Sequence, residues 1–214
     1  NKGTALHALG RSSEALDSFN ESVRLNPTNA VAWTNKGYVL ASMGRYEEAM
    51  EAYNTSLKLN PRQANTWGYR ATTLVALSRF NDAIISADNE LALNPGNIRA
   101  LSTKGDALAG LGKNSDAANV YRTIVQRSPS SWTTWFSLGY VLQKGKDYEG
   151  AVDAYQHALE LRPDDAKIWM YQVSSLIALG RGSDAVRYYD SELSVHPNNT
   201  VALMNKGYAL HQMK

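Results

Sequence analysis

Between residues 30 and 43 the apolar side chains of Val31, Trp33, Val39, Leu40 and Met43 return at roughly helical spacing, which predicts a helix over Ala30–Met43. A second helix is predicted over Tyr46–Leu59, with Ala49, Ala52, Tyr53, Leu57 and Leu59 inward and Glu47, Glu48, Glu51 and Lys58 outward. Gly44 stands between them, where a left-handed cap is wanted. Asn60-Pro61 ends the second helix, because the residue before a proline is driven out of the helical region. The connection is short, so the two helices form an antiparallel hairpin.

That hairpin is copied along the chain. The six prolines, Pro27, Pro61, Pro95, Pro129, Pro163 and Pro197, are spaced 34 residues apart. Leu6, Leu40, Leu74, Leu108, Leu142, Leu176 and Leu210 keep the same step, as do Ala15, Ala49, Ala83, Ala117, Ala151 and Ala185. Self-similarity at this period marks a solenoid of stacked units rather than a globule with one core. Gly10, Gly112 and Gly180 share the slot of Gly44, while Ser78 and Lys146 replace it, the latter with Gly145 one residue earlier. Gly3, Gly37, Gly105, Gly139 and Gly207 form another column in mid-helix, where glycine costs about 1 kcal/mol relative to alanine. Large neighbours such as Tyr53, Tyr121 and Tyr155, close to the alanine column, are expected to fill the space so created. Trp33, Trp67, Trp135 and Trp169 form a third column, read as core packing.

The order Trp33, Gly37, Leu40, Ala49, Tyr53, Pro61 closely resembles the tetratricopeptide (TPR) repeat. The resemblance covers the whole chain and implies an all-α fold, a right-handed α-solenoid of antiparallel helix pairs with first helices lining a concave groove. Residues 1–214 are expected to form a single array, with repeats near 1–29 (partial), 30–63, 64–97, 98–131, 132–165, 166–199 and 200–214 (first helix only). The chain begins partway through a repeat, which suggests a piece of a longer array.

Copies three apart are more alike than neighbours. Gly37-Tyr38-Val39-Leu40 returns 102 residues later as Gly139-Tyr140-Val141-Leu142, and Trp67, Tyr69, Asp88 and Glu90 return as Trp169, Tyr171, Asp190 and Glu192. A duplicated three-repeat block is inferred. Glu90 and Glu192 occupy a slot where the family usually has a small buried residue, and the glycine column there reads Ala71 and Val173. Because a buried carboxylate is costly unless paired, salt bridges Glu90–Lys104 and Glu192–Lys206 are expected.

The formal net charge of +2 gives no reason to expect nucleic acid as partner. No apolar run approaches the ~18 residues that would insert in a membrane. With zero cysteines, disulfide and thiolate chemistry are excluded, and a cytoplasmic location is expected. The four histidines, His7, His157, His196 and His211, are scattered, and no metal or phosphate-binding motif occurs. No catalytic residue, metal or cofactor is therefore expected, and the chain reads as a non-enzyme.

What remains is binding along the array. The resemblance places ligand-contacting slots on the first helices, which gives Thr34, Asn35, Tyr38, Tyr69, Thr72, Ser102, Asp106, Phe136, Tyr140, Met170, Tyr171, Met204 and Tyr208, with Arg99 and Lys167 at the groove edge. This set is aromatic, Met-containing and nearly uncharged, which suits an extended or helical protein segment with apolar anchors. A TPR subclass grips the terminal carboxylate of chaperone tails with Lys, Asn and Arg, but only Arg99 and Lys167 match those slots. Self-association through the terminal helices, or service as the substrate-recruiting arm of a larger enzyme, are the alternatives.

Overall fold

The computed structural model describes residues 2–195 and 197–213, apart from the side chains of Ser191, Glu192 and Val195. Among the described residues the regular structure is helical: α1 (Lys2–Ala8), α2 (Ser12–Leu25), α3 (Ala30–Ser42), α4 (Tyr46–Leu59), α5 (Ala64–Ala76), α6 (Phe80–Leu93), α7 (Ile98–Gly110), α8 (Asn114–Arg127), α9 (Trp132–Lys144), α10 (Tyr148–Leu161), α11 (Ala166–Ala178), α12 (Gly182–Val195) and α13 (Thr200–Gln212). Odd-numbered helices are the first and even-numbered the second members of the hairpins. The helices group into two compact units, Asn1–Leu111 and Gly112–Lys214. In the first unit α3 packs on α4 and α5 on α6, and each second helix also packs on the following first helix. The second unit repeats this order, with α9 on α10, α10 on α11 and α12 on α13.

Local chemistry sets the hairpin boundaries. Each second helix of the array stops just before its proline, and a short polar residue two places after the proline caps the next helix except at α5, where Gln63 makes no side-chain cap bond. Asn29 accepts from the backbone N–H groups of Val31 and Ala32, and Asp165 and Asn199 do the same for α11 and α13. The first helix closes through the left-handed residue: Gly44 N–H donates to Ala41 O and Arg45 N–H to Leu40 O, the two bonds of a Schellman ending. Gly10, Gly44, Gly112 and Gly180 take φ between 72° and 77° there. Where glycine is missing, Ser78 (φ 57°) and Lys146 (φ 66°) adopt the strained conformation themselves; Gly145 remains in the helical region. The first helix ends at Ser42 with Met43 as its cap, one residue short of the sequence expectation. Leu59, expected inward, is 41% exposed. It follows Leu57 by two residues, or about 200° around the helix, which turns it away from the core.

The tryptophan and proline columns are linked by a hydrogen bond. The indole N–H groups of Trp33, Trp67, Trp135 and Trp169 donate to the carbonyls of Pro27, Pro61, Pro129 and Pro163 at 2.7–2.9 Å. The carbonyl left free where one helix ends is thus satisfied by the next helix. Trp33, Trp67 and Trp135 are half-buried rather than core residues, so the column serves as a clamp across the turn as much as packing.

The expected close approach is present at Gly3, Gly37 and Gly139, whereas a Cβ at Gly207 would meet nothing within 4 Å. A Cβ at Gly37 would lie 2.6 Å from the Tyr53 ring, at Gly139 2.6 Å from the Tyr155 ring, and at Gly3 2.8 Å from Phe19. Tyr53 and Tyr155 are fully buried, so the rings have little room to retreat. Gly37→Ala should therefore lower stability by about 1–3 kcal/mol through overpacking, although alanine is the better helix former. A chemical denaturation series that found the variant equal to or more stable than the parent would contradict this packing.

Candidate binding surface

Two strips of aromatic side chains run across the first helices, one within each compact unit. In the first unit His7 of α1 meets Tyr38 of α3 edge-on at 5.3 Å, Tyr38 meets Tyr69 of α5 at 4.9 Å, and the Arg99 guanidinium of α7 lies 5.1 Å from the Tyr69 centroid. Tyr38 is 43% exposed. Tyr69 is half-buried because it also stacks on the core residue Tyr53, at 6.3 Å. Asn35 and Ser102 are half-buried near this strip's helices, and Thr72 and Asp106 are exposed.

In the second unit Phe136 and Tyr140 of α9 each meet Tyr171 of α11, at 5.3 and 5.9 Å. Tyr171 and Phe136 in turn pack on Tyr155, whose hydroxyl donates to Gln143 Oε1 at 3.2 Å. Lys167 reaches over the Phe136 ring at 5.0 Å and Lys144 over Tyr140 at 5.4 Å. Tyr140, Met170, Tyr171 and Tyr208 converge, with Gln143 and Lys144, on an open depression of about 470 Å³. Met170 and Met204 are 40% and 59% exposed, and Tyr208 is half-buried. The rings are braced by one another while keeping an edge or hydroxyl toward solvent, which limits the side-chain entropy lost on binding.

Thr34 does not belong to this surface. It is 7% exposed, and its hydroxyl hydrogen bonds Ser56 and Thr66 at 2.7 Å each. Its short side chain turns toward α4 and α5, where three hydroxyls satisfy one another. Conversely, His7 and Lys144 join the strips although the slot pattern did not select them. His7 stands one 34-residue step before Ala41, which is three residues, or about one helical turn, after the slot of Tyr38.

The expected bridge Glu90–Lys104 is not formed. Lys104 pairs instead with Asp88 at 2.6 Å, and Lys206 pairs with Asp190 at 2.5 Å. The side chain of Glu192 lies outside the described residues, so the pair Glu192–Lys206 is not described. Sixteen residues separate each lysine from its aspartate, which sits on the solvent side of its helix, whereas Glu90 points inward and is 1% exposed.

Glu90 occupies the space that a ring fills elsewhere. Ala87 stands in the tyrosine column and Ala71 in the glycine column, and the glycine has moved one turn back to Gly68, where a Cβ would lie 2.2 Å from Glu90 Oε2. Asn97 Nδ2 and Arg99 Nη2 both donate to Glu90 Oε1, at 2.6 and 3.2 Å, while Oε2 has no hydrogen-bond partner. Burial pushes the Glu90 carboxyl above its ordinary range, with Arg99 opposing. The buried acid thereby anchors the arginine that covers Tyr69.

Family models described as tetratricopeptide repeat match residues 1–29, 30–63 and 102–166, together more than half of the chain. The chain belongs to the tetratricopeptide repeat family. Two curated relatives match in part. The SGT1 homolog of Bos taurus is 35% identical over 69 residues, which is 32% of this chain and 20% of that protein. The peroxisomal targeting signal receptor of Candida albicans is 26% identical over 98 residues, 44% of this chain and 17% of that protein. The chain thus spans about a fifth of these relatives' length. Among solved structures, MamA superposes with a TM-score of 0.72 at 18% identity, covering 78% of this chain and 98% of MamA. YrrB, a TPR protein with an unusual peptide-binding site, gives 0.72 at 18% identity, covering 90% and 99%. A TPR protein of Parabacteroides merdae gives 0.74 at 16% identity, covering 99% and 88%. At these identities the structural likeness is a likeness of TPR fold.

The Glu90 geometry has a pH signature. A carboxyl whose proton is held more tightly in the folded than in the unfolded chain contributes stability at low pH and loses it as pH rises from about 4.5 through the raised value. The parent TPR chain should therefore lose part of its stability between mildly acidic and neutral pH, and Glu90→Gln should flatten that loss. Denaturation midpoints across this range that fall equally in parent and variant would contradict the assignment.

Proposed function

We propose that this TPR array is a non-catalytic protein-interaction scaffold that binds an extended or helical peptide segment along the aromatic strips of its first helices. The observation that carries the reading is the open depression of about 470 Å³ bounded by Tyr140, Met170, Tyr171 and Tyr208. Each tyrosine offers an apolar face and a polar tip, so the surface tolerates water when empty and excludes it when filled. Methionine adapts to irregular apolar anchors. Lys144 and Lys167 stand over rings rather than beside carboxylates, which keeps a modest positive character suited to backbone carbonyls or an acidic residue of the ligand. Asn35, Tyr38, Tyr69, Thr72, Arg99, Ser102 and Asp106 provide the corresponding first-helix surface of the first unit. The peptide-binding site of YrrB and the targeting-signal recognition named for the Candida albicans relative support a peptide as the ligand class.

The test is a double variant, Phe136→Ala with Tyr140→Ala, compared with the parent chain in binding a partner recovered with the intact protein. Loss of two ring contacts at the centre of an interface costs about 2 kcal/mol or more, so binding should weaken at least tenfold while helical content by circular dichroism stays unchanged. Equal affinity in the two chains would place the site elsewhere.

A further inference from the structure

Arg70 of α5 is a half-buried cation with neutral partners. Its Nε donates to Asn54 Oδ1 at 3.0 Å, its Nη1 donates to Ser86 Oγ, and the guanidinium lies 5.8 Å from the Trp67 centroid. Among the described residues no carboxylate lies within salt-bridge distance of it, and nearby Asp82 is held by Arg79 at 2.8 Å. Burial pulls this guanidinium below its ordinary value, so its charge is kept there against a desolvation cost. It borders an open cavity of about 380 Å³ whose other walls are Asn54, Leu57 and Lys58 of α4, Trp67 of α5 and Ile85 of α6. Ile85 is 57% exposed. At 100° per residue, Trp67 and Arg70 lie on the opposite side of α5 from Tyr69 and Thr72. The cavity is therefore distinct from the aromatic strip.

The duplicated block supplies an internal control. At the position 102 residues on, Gln172 replaces Arg70 and donates to Gln156 Oε1 at 3.1 Å, as Arg70 does to Asn54. The interhelix hydrogen bond thus needs no charge. Ser86 is replaced by Tyr188, whose ring covers Trp169 at a centroid distance of 4.5 Å. Ile85 becomes Arg187 and Lys58 becomes Glu160. The same backbone frame accepts a self-covered version of this corner in which the one cation, Arg187, is paired with Asp184, whereas the first block leaves a tryptophan face, an isoleucine and two cations open.

We propose that this corner of α4, α5 and α6 is a second binding site, for an acidic peptide segment. A side-chain carboxylate of the ligand accepts from the free N–H groups of Arg70, with Lys58 at the rim, and a neighbouring apolar side chain lies on Leu57, Trp67 and Ile85. Charge-assisted bonds to arginine favour a carboxylate, and the apolar floor adds a requirement that an inorganic anion does not meet.

The probe is the blocked peptide acetyl-Glu-Asp-Leu-Glu-amide, titrated into ¹⁵N-labelled chain while the Trp67 indole and Arg70 Nε–H signals are followed. Both signals should shift saturably. Affinity should fall at least tenfold for acetyl-Gln-Asn-Leu-Gln-amide, for Arg70→Gln and for Ser86→Tyr, the last two being the residue types the second block carries. Arg70→Gln should retain the parent denaturation midpoint, which keeps the test valid should Ser86→Tyr disturb folding. Unchanged affinity in Arg70→Gln, equal binding of the neutral peptide, absence of shifts at millimolar peptide, or shifts centred on Tyr38 and Tyr69 would each overturn the proposal. Inorganic phosphate binding as tightly as the acidic peptide would overturn it as well, because the apolar floor would then contribute nothing.

Discussion

A helix hairpin of this length buries one face only against its neighbours, and the contact that lets it do so is an aromatic ring seated on a helix without a side chain. Tyr53 on Gly37, Tyr155 on Gly139 and Phe19 on Gly3 each fill the volume a Cβ would occupy. That contact draws the first and second helices of a hairpin together and consumes one face of the first helix. Its remaining surface is then shared between the next first helix and solvent. The aromatic strips lie on this remainder. Tyr69 and Tyr171 join the two layers, each packing on a buried core tyrosine and on a more exposed tyrosine of an adjacent first helix.

Where the ring is missing the array solves the same volume problem with a carboxylate. Ala87 frees space, Gly68 admits the acid, and Glu90 takes up the room while holding Asn97 and Arg99. The solution couples stability to pH and fixes a cation above Tyr69. Packing and binding surface are thus connected through one buried group, in a repeat where Gly68 and Ala87 accompany the glutamate.

The helices, their boundaries and the 34-residue step were legible because proline, glycine and leucine act through backbone geometry and periodic burial, which a single sequence displays directly. The ring-on-glycine contact was legible for the same reason. Polar partnerships were less so. Glu90 was recognised as buried, but its partners depend on side-chain reach across a turn: Arg99 and Asn97 arrive from the start of α7, while Lys104, two turns further along, meets Asp88 on the outer face. Thr34 shares its slot with Met170 and Met204, yet its short hydroxyl side chain turns to Ser56 and Thr66 while the longer methionines reach the surface. The tryptophan–proline hydrogen bonds needed an indole orientation that spacing alone does not specify. The open corner at Arg70 is not legible from one helix, because the decisive change, Ser86 against Tyr188, lies on a different helix from the cation.

The central claim is that partners dock on the first-helix strips. It is tested most directly by placing a photo-crosslinking amino acid in turn at Met170, Met204 and Asp153 of the intact protein and identifying the adducts after irradiation with its partner. Met170 and Met204 stand on the strip side of α11 and α13, whereas Asp153 is exposed on the second helix α10. The account predicts partner adducts from positions 170 and 204 and none from 153. Adducts from 153 with none from 170 and 204 would contradict it.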